Sequence, residues 1–443
     1  MKRLWPLSSG LHTLVVTASL VAVLLAGCSS GAPAPGGPAK GEVTGGEPKG
    51  QPITIGSPLP MAFVDGWGAE RAMKLAIEEI NAKGGVDVAG AKRPLRLETM
   101  DTRDLEAGVP VSEALLAIEK LVLEKKADFL LGGPARSEAA LAAMDLVSSY
   151  KKVWILTNGV LTPAYQTRIA ENYDKYKYGF RITSNVGTVA NSLLAVFDEF
   201  KNKHGFSKVY IMVQDVAHAR GGGNLMSKEL TSRGWTVGGP EAYPTGATDY
   251  SAGLLKAKDM GAQVLFIWAD MPETSILLKQ YRDMQLPALP LGYIAAAMQP
   301  GFWKATDGKG EYAMAELINA GNAPYEAIPL AAEFGKNYQK KWGVEPEGYG
   351  TVSSYQAIYT LVDAIQRAKS IEADAVIKAL EQTDMKGTYG RIKFDPKNHQ
   401  IVSSFDPEEG AVPQIIQWQE GRRVTIFPPK IANGSLKLPP WMK

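Results

Sequence analysis

One pattern governs what this chain can fold into. Short apolar runs rich in β-branched residues alternate with longer segments whose apolar residues recur at helical spacing. The alternation runs from residue 53 to residue 157, and it begins again near residue 178 and continues to residue 292. Strands that alternate with helices pair in parallel and carry helices on both faces of the sheet. The sequence therefore predicts an α/β fold with two doubly wound lobes of similar size.

The elements of the two lobes follow from this pattern. For the first lobe we predict strands at residues 53–55, 95–99, 128–132 and 153–157, and helices at 69–83, 109–125 and 137–150. A connecting strand at 178–182 leads to the second lobe, with strands at 208–213, 236–243, 263–268 and 289–292, and helices at 188–204, 224–233, 250–260 and 274–284. After residues 313–319, helices at 328–342, 352–368 and 372–382 precede short strands at 392–394 and 415–418. This tail is too short for a third domain, so we expect it to complete both lobes.

The chain is therefore expected to cross between the lobes several times. We assign residues 52–181 and 320–389 to lobe 1, residues 182–319 and 390–430 to lobe 2, and 431–443 to a C-terminal tail. In open parallel sheets, ligands bind beyond the carboxyl ends of the strands, where loops and helix N-termini converge. The cleft between the two lobes is the expected site.

The N-terminus carries a targeting signal. Lys2 and Arg3 precede an apolar run at residues 11–25, about the length of a signal-peptide core. The run ends in Leu-Ala-Gly-Cys at residues 25–28, which resembles a bacterial lipoprotein cleavage box. We predict that residues 1–27 are a signal peptide and that Cys28 is lipidated. Residues 28–51, rich in Gly and Pro, then form a tether, and the protein lies outside the cytoplasm on a lipid anchor. The alternative is an uncleaved membrane anchor with a free cysteine.

The composition excludes several classes of function. The 443 residues include 48 Lys+Arg and 46 Asp+Glu, and without Lys2 and Arg3 the two counts are equal, so no basic excess indicates nucleic acid. A single cysteine excludes a disulfide framework and a thiolate metal cage, and four scattered histidines show no metal-binding spacing. We predict no metal and no cofactor.

Catalytic and nucleotide motifs are equally absent from the sequence. The glycines at residues 221–223 lack the GxGxxG spacing, so we interpret them as a turn before a helix. Ser148 and Lys151 have SxxK spacing without its companion motifs. Asp101, Arg103 and Asp104 are interpreted as a solvated, charged loop. Catalysis is not predicted.

Five segments of the chain form a recognisable set: INAKGG at 80–85, TDYS at 248–251, GFWKAT at 301–306, GRIKFD at 390–395 and IQWQEG at 416–421. Together they resemble the Leu/Ile/Val-binding family of ABC-transporter substrate-binding lipoproteins. The resemblance extends in order from about residue 53 to residue 428. It implies a type I periplasmic-binding-protein fold, in which two Rossmann-like lobes joined by a three-strand hinge close on a ligand.

The resemblance also implies ligand contacts in the first lobe. Ser137 falls on the serine that holds a ligand carboxylate at a helix N-terminus, a favourable place for an anion. Its alternative role is a simple N-cap. Trp67 falls on an aromatic position in the first loop that forms a wall of the cleft. Gly159 and Leu161 fall where the family uses a backbone amide and a threonine hydroxyl, although a leucine cannot donate that bond.

The second lobe departs from the family pattern. His218 stands where a tyrosine is common, and Asp270 stands where another aromatic is common. Ile294 aligns with the glutamate that neutralises the ammonium group of an amino acid, a role that an isoleucine cannot fill. If Asp270 points into the cleft, it replaces this carboxylate with His218 beside it; if it does not, a buried ammonium lacks its counter-charge. Arg136 is a second anion partner or a solvated loop residue.

The expected function follows from the resemblance and these departures. The chain is expected to capture a hydrophobic amino acid, or a related apolar or aromatic acid, and to deliver it to an ABC permease as a monomer that catalyses nothing. Two alternatives remain: a sensor that presents its closed form to a membrane receptor, and, less favoured, an enzyme on the same scaffold.

Overall fold

The computed structural model describes residues 50–106, 108–159, 162–323 and 325–442. The predicted signal peptide, the lipidation site Cys28 and nearly all of the predicted tether lie outside these residues. Among the described helices, none combines the length and the apolar character needed to cross a membrane.

The first lobe is built on a five-stranded parallel sheet. Its elements are β1 (Ile53–Leu59), α1 (Val64–Ala82), β2 (Val86–Val88), β3 (Ala91–Arg93), β4 (Leu95–Asp101), α2 (Val111–Leu123), β5 (Phe129–Leu131), α3 (Ser137–Ser149), β6 (Trp154–Leu156), α4 (Ala164–Glu171), α5 (Tyr173–Tyr176) and β7 (Gly179–Arg181). The strand order is β4-β1-β5-β6-β7, and β2 and β3 form a separate hairpin. Every residue of β1 is buried, as expected for a strand covered on both faces.

The second lobe repeats this design. Its elements are α6 (Val186–His204), β8 (Lys208–Gln214), α7 (Ala217–Ser232), β9 (Thr236–Tyr243), α8 (Ser251–Met260), β10 (Val264–Ala269), α9 (Thr274–Asp283), β11 (Leu289–Ile294), α10 (Ala295–Met298), α11 (Phe302–Ala305) and β12 (Met314–Glu316). The tail adds α12 (Pro329–Trp342), α13 (Thr351–Ala368), α14 (Ala373–Glu381), β13 (Asp384–Gly387), β14 (Gly390–Lys393), β15 (Ile415–Gln419), β16 (Arg422–Phe427) and a 3₁₀ turn at Pro429–Ile431. The second sheet has the order β16-β15-β12-β11-β10-β8-β9, and only its β12–β15 and β15–β16 pairs are antiparallel.

Each sheet has its own hydrophobic core, and the tail contributes to both. Helices α12, α13 and α14 pack on the first core, whereas β15 and β16 extend the second sheet. The prediction assigned residues 390–430 to lobe 2, but Ile392, Phe394 and Ile401 pack in the first core. The exact division of the chain into lobes stays a prediction, while the predicted α/β fold with parallel sheets is confirmed.

Two helices begin five or more residues earlier than the sequence indicated. Helix α1 begins at Val64 rather than at residue 69, and α7 begins at Ala217 rather than at 224. The glycines at 221–223 are therefore not a turn, because they lie inside α7. A Cβ atom on Gly222 would lie 2.5 Å from the Trp268 ring, and one on Gly223 would lie 2.6 Å from Val213. The glycines let α7 approach the sheet closely.

The order of the strands indicates where a ligand is expected to bind at the edge of each sheet. In the first sheet, β4 and β5 lie on opposite sides of β1. In the second sheet, β9 and β10 lie on opposite sides of β8 in the same way. Ligands bind at such switch points, beyond the carboxyl ends of the strands. The residues that follow β1, β5, β8 and β10 therefore occupy the favoured positions.

Candidate functional site

The first turn of α1 follows β1 and contributes Asp65 and Trp67. Because α1 begins at Val64, Trp67 lies in a helix and not in the predicted loop. The Arg71 guanidinium stacks over the Trp67 ring at 4.5 Å and also pairs with Glu347 at 3.0 Å. Asp65 is half-buried, and its Oδ1 accepts a long hydrogen bond of 3.4 Å from the Tyr349 amide. This turn therefore contacts the chain that leads into α13.

The N-terminus of α3 follows β5 and offers free amides. Ser137 is the first helical residue, and its side chain does not cap the helix, so the simple N-cap role is not observed. The Ser137 hydroxyl has no hydrogen bond to any residue that the structure describes. Arg136 leaves the N-terminus open, because its guanidinium turns back to the Asp104 carbonyl oxygen at 3.4 Å and to Glu138 at 3.9 Å.

The burial of Asp104 differs from the prediction. This residue was interpreted as part of a solvated loop, but it is 2% exposed, whereas its neighbours Asp101 and Arg103 are exposed as expected. Its Oδ2 accepts a 2.7 Å hydrogen bond from the Arg136 amide, and Thr102 donates to its Oδ1 at 2.5 Å. Burial raises the pKa of Asp104, and these hydrogen bonds offset only part of the effect. Asp104 positions the loop that begins α3.

Gly159 lies under the ring of Tyr349. A Cβ atom at residue 159 would lie 2.4 Å from Cε2 of Tyr349, so only glycine allows this approach. The Gly159 amide has no hydrogen-bond partner in the described part of the chain, which leaves it available to a ligand. Leu161, the neighbouring predicted contact, lies outside the described residues.

The second lobe brings His218 and Asp270 together. His218 lies in the first turn of α7 after β8, Asp270 directly follows β10, and His218 Nε2 lies 2.7 Å from Asp270 Oδ2. Burial lowers the pKa of His218, but the bond to Asp270 outweighs this effect and holds the pKa above its usual value. The side chains are 41% and 34% exposed, so the pair is open to solvent. The amide of Asp270 donates to Gln214 Oε1 at 2.9 Å, which fixes the loop.

Tyr293 and Ile294 end β11 beside Asp270. Ile294 is fully buried in the second core, so no charge occupies the position where the family resemblance implied a glutamate. The Tyr293 ring is 2% exposed and stacks on Trp268 with ring centroids 5.5 Å apart. Burial first, and then the charges of Asp270 and Asp65, raise the pKa of the Tyr293 hydroxyl well above its usual value.

The charge of Asp270 acts on Asp65 although the two residues belong to different lobes. Burial, together with the negative charge of Asp270, raises the pKa of Asp65 to about 7, and the Tyr349 amide offsets part of this shift. The Tyr349 hydroxyl interacts with the charges of Asp65, Asp270 and Asp104. His218 interacts with Glu138 of the first lobe in the same way. Charged groups of both lobes therefore lie close enough to interact, as expected for residues that line a cleft between the lobes.

A loop from the tail closes one side of this cleft. We call residues 343–350, between α12 and α13, the bridging loop. Its Gly348 amide donates to Gln299 Oε1 in the second lobe at 3.0 Å. Its Glu345 accepts from the buried Arg423 of β16 at 2.6 Å. Since Glu347 pairs with Arg71 of α1, the bridging loop is attached to both lobes.

Sequence reasoning missed three members of this site. Asp65 lies in the first turn of α1, where the sequence predicts a loop. Tyr349 stands between two glycines, a local signal of close backbone packing, but its contact with Gly159 joins residues distant in sequence. Tyr293 falls just beyond the strand predicted at residues 289–292, whereas β11 continues to Ile294. In the described residues no group of three or more His, Cys, Asp or Glu side chains is arranged to hold a metal ion.

Comparisons with known proteins agree with this geometry. The family model described as "Periplasmic binding protein" matches residues 55–406, well over half of the chain. Leu/Ile/Val-binding protein homolog 7 of Brucella suis biovar 1 (strain 1330) is 23% identical over 415 residues, which cover 90% of this chain and 96% of the relative.

Two solved structures share the fold. The branched-chain amino acid transporter substrate binding protein LivJ of Streptococcus pneumoniae, in complex with isoleucine, has a TM-score of 0.66 and 18% identity, covering 85% of this chain and 100% of its own. The solute binding protein of an ABC transporter from Rhodopseudomonas palustris BisB5, in complex with 3,4-dihydroxy benzoic acid, has a TM-score of 0.67 and 18% identity, covering 87% and 98%.

The family match extends through both lobes and the bridging loop, and family membership implies an extracytoplasmic location and solute binding rather than catalysis. With its two sheets of mainly parallel strands and a family match over residues 55–406, the chain belongs to the periplasmic binding protein family.

Proposed function

We propose that this protein captures a small carboxylate ligand between its lobes and delivers it to an ABC importer in the membrane. The ligand class is a hydrophobic amino acid or a related apolar or aromatic acid. The observation that carries the proposal is that the N-terminus of α3, with its free amides and the Ser137 hydroxyl, lies close enough to the His218–Asp270 pair of the other lobe for Glu138 of α3 to act on His218. Both sets of groups lie at the switch points of their sheets.

The carboxylate of the ligand binds at the N-terminus of α3. The exposed amides there and the helix dipole favour an anion, and a hydroxyl bond to a charged group contributes about 1.5–3 kcal/mol. The Gly159 amide adds a further donor on the same lobe. Asp104 stays behind this surface, where it bonds the Arg136 amide, so it leaves the amides of the first turn free.

The apolar part of the ligand faces aromatic side chains of both lobes. In the second lobe, Tyr293 stacks on Trp268 where β11 ends. Trp67 and Tyr349 supply aromatic surface from the opposite side. A ligand with a hydrophobic or aromatic group therefore suits this cleft better than a small polar one.

Anchoring at Cys28 belongs to the same proposal. Each buried CH₂ group of an acyl chain contributes about 0.8 kcal/mol, so the chains added in lipoprotein processing hold the protein at a membrane surface. Residues 28–51 then let the binding domain reach the permease. Globomycin, an inhibitor of lipoprotein signal peptidase, tests this part: if Cys28 is lipidated, the unprocessed precursor should accumulate only when the inhibitor is present. The Cys28→Ser variant should stay unprocessed with or without the inhibitor.

A ligand screen tests the function. The full chain in mild detergent, unfolded and refolded to remove carried ligand, is melted with each standard amino acid and with aliphatic and aromatic acids that lack an amine. A ligand at about 100 times its Kd stabilises the protein by about 2.7 kcal/mol, a shift of a few degrees. Mass spectrometry must then recover the ligand unchanged. No response from any member, or a changed product, contradicts the proposal.

A further inference from the structure

We infer that Ile318, in a chain segment that runs from the second lobe to the first, is a strained hinge residue that opposes the lobe arrangement of this structure and so favours separation of the lobes in the empty protein. The inference rests on the proposed function, in which the lobes close on a ligand. It deepens that function by naming a backbone position that controls closure.

Ile318 lies in one of three segments that begin at one hydrophobic core and end at the other. These segments are residues 182–186, 317–320 and 412–415. The Ser184 hydroxyl, in the first segment, donates to the Ile318 carbonyl oxygen at 2.8 Å. The Leu317 amide donates to the Gln414 carbonyl oxygen of the third segment at 2.7 Å. The segment that contains Ile318 is therefore bonded to both of the others.

The backbone at Ile318 makes a tight turn. The Asn319 amide donates to the Leu317 carbonyl oxygen at 2.7 Å, which closes a three-residue turn, and φ of the central Ile318 is +65°. A three-residue turn with a positive central φ is rare and strained, and a β-branched residue is especially disfavoured there. Among the described non-glycine residues with positive φ, Ile318 is the only β-branched one. The strain is therefore concentrated at this segment.

Contacts from both lobes hold the turn in place. The Ile318 side chain is fully buried in the second core, whereas the Asn319 side chain donates to Ser353 Oγ of α13, a helix of the first core, at 2.7 Å. Backbone strain persists only where the surrounding structure enforces it, and it is common in segments that move. Because the contacts come from both lobes, a movement of one lobe against the other changes the geometry of the turn.

The strained turn belongs to an arrangement in which the lobes are joined beside the cleft. The bridging loop, which leads into α13, bonds to Gln299 of the second lobe at 3.0 Å and to Arg423 of the second lobe at 2.6 Å. A ligand that contacts both lobes favours this arrangement, and the strain at Ile318 disfavours it. A residue in the left-handed region shifts such an equilibrium by about tenfold. Relaxation of the turn therefore favours the separated lobes when no ligand is bound.

A comparison of Ile318→Gly with Ile318→Ala measures the strain. Both changes remove most of the buried side chain, so the variants differ mainly in their tolerance of a positive φ. Leu317→Gly and Leu317→Ala are the matched controls, because Leu317 is equally buried and its φ is not positive. In thermal melts of the full chain in mild detergent, Ile318→Gly should melt about 2 °C or more above Ile318→Ala. At residue 317 the order should be reversed, because glycine loses more backbone freedom on folding.

The distance between the lobes measures the role of this strain in the hinge. Ser112 and Ala252 are exposed residues in the first turns of α2 and α8, at the carboxyl ends of the two sheets. Nitroxide labels are attached after Ser112→Cys and Ala252→Cys in a full chain that also carries Cys28→Ser. Double electron–electron resonance without any ligand then gives the ratio of short to long distances between the labels.

This ratio should be about tenfold higher for Ile318→Gly than for Ile318→Ala, and the two Leu317 variants should give the same ratio. Ile318→Leu keeps the buried volume and removes only the β-branch, so it should raise the ratio relative to wild type by a smaller factor. It tests the inference even if the smaller side chains at residue 318 leave the protein poorly folded.

Three results overturn the inference. If Ile318→Gly melts below Ile318→Ala, the turn is not strained. If it melts higher but the distance ratio is unchanged, the strain is a structural feature that does not act on the hinge. A shift towards longer distances means that the turn favours closure. None of these measurements uses a ligand, so the ligand screen tests the proposed function separately.

Discussion

At the scale of single residues, Ser137 is the side chain whose role in the site is easiest to isolate. It does not cap α3, so its removal should leave the helix intact. We expect Ser137→Ala to weaken carboxylate binding at least tenfold, because one charge-assisted hydrogen bond is lost, and to change the melting temperature of the empty protein very little. Calorimetry with the ligand from the screen and a thermal melt without ligand check the two parts. Lower stability with unchanged affinity would make Ser137 a structural residue.

Glu316 is a buried acid that the proposed function does not use. It is fully buried on β12, and neither carboxyl oxygen has a well-placed hydrogen-bond partner among the described residues. Burial raises the pKa of Glu316 to about 8, and the Ile318 amide offsets little of this. Between about pH 4.5 and pH 8 the folded protein holds this proton and the unfolded chain does not. Glu316 therefore lowers stability as the pH rises through that range.

Glu316→Gln should remove this pH dependence. The variant should be more stable than wild type at pH 8 by about 2–4 kcal/mol, and the advantage should disappear near pH 4.5. Thermal melts across this range measure the difference, with the exposed Glu171→Gln as the matched control. An equal advantage at both pH values would mean that packing, not ionisation, is responsible.

At the residue scale, the sequence was enough to identify some residues of the candidate site but not others. The family resemblance directed attention to His218 and Asp270, which the structure places 2.7 Å apart. It did not reveal Asp65 or Tyr349, because their positions depend on how a helix begins and on a contact across the fold. The ligand roles of Trp67, Ser137, Gly159, His218 and Asp270 stay predictions.

At the scale of elements, glycine spacing explains where sequence reasoning misplaced α1 and α7. Glycine costs a helix about 1 kcal/mol relative to alanine, so segments with several glycines resemble loops. Close packing reverses that preference: a Cβ on Gly68 would lie 2.8 Å from the Glu347 carbonyl oxygen, and one on Gly222 would meet Trp268. The buried strands, which need no such contacts, were placed to within a few residues.

The glycines of α7 provide a test at this scale. Gly222→Ala should destabilise the protein by about 1–3 kcal/mol, because the Trp268 ring is fully buried and has no room to move, and this overpacking exceeds the helix-propensity gain. Gly221→Ala is the matched control, since nothing lies within 4 Å of its added Cβ, and it should stabilise by up to about 1 kcal/mol. Denaturant unfolding measures both. Equal effects would contradict the proposed close contact.

At the scale of the whole molecule, the periodicity of the sequence was enough to predict two sheets of mainly parallel strands. It was not enough to divide the tail, because residues 390–412 pack on one core and the strands that follow them complete the other sheet. The bridging loop depends on this arrangement. Its bonds to Gln299, Arg423 and Arg71 tie the two lobes together beside the proposed ligand site.

The central claim is that one ligand binds between the lobes and contacts both. Hydrogen–deuterium exchange of the full chain, with and without the ligand that gives the largest thermal shift, tests it most directly. The account predicts slower exchange at the N-termini of α1, α3 and α7 and in the bridging loop, on both sides of the cleft at once. Protection confined to one lobe, or found only away from these four segments, would contradict it.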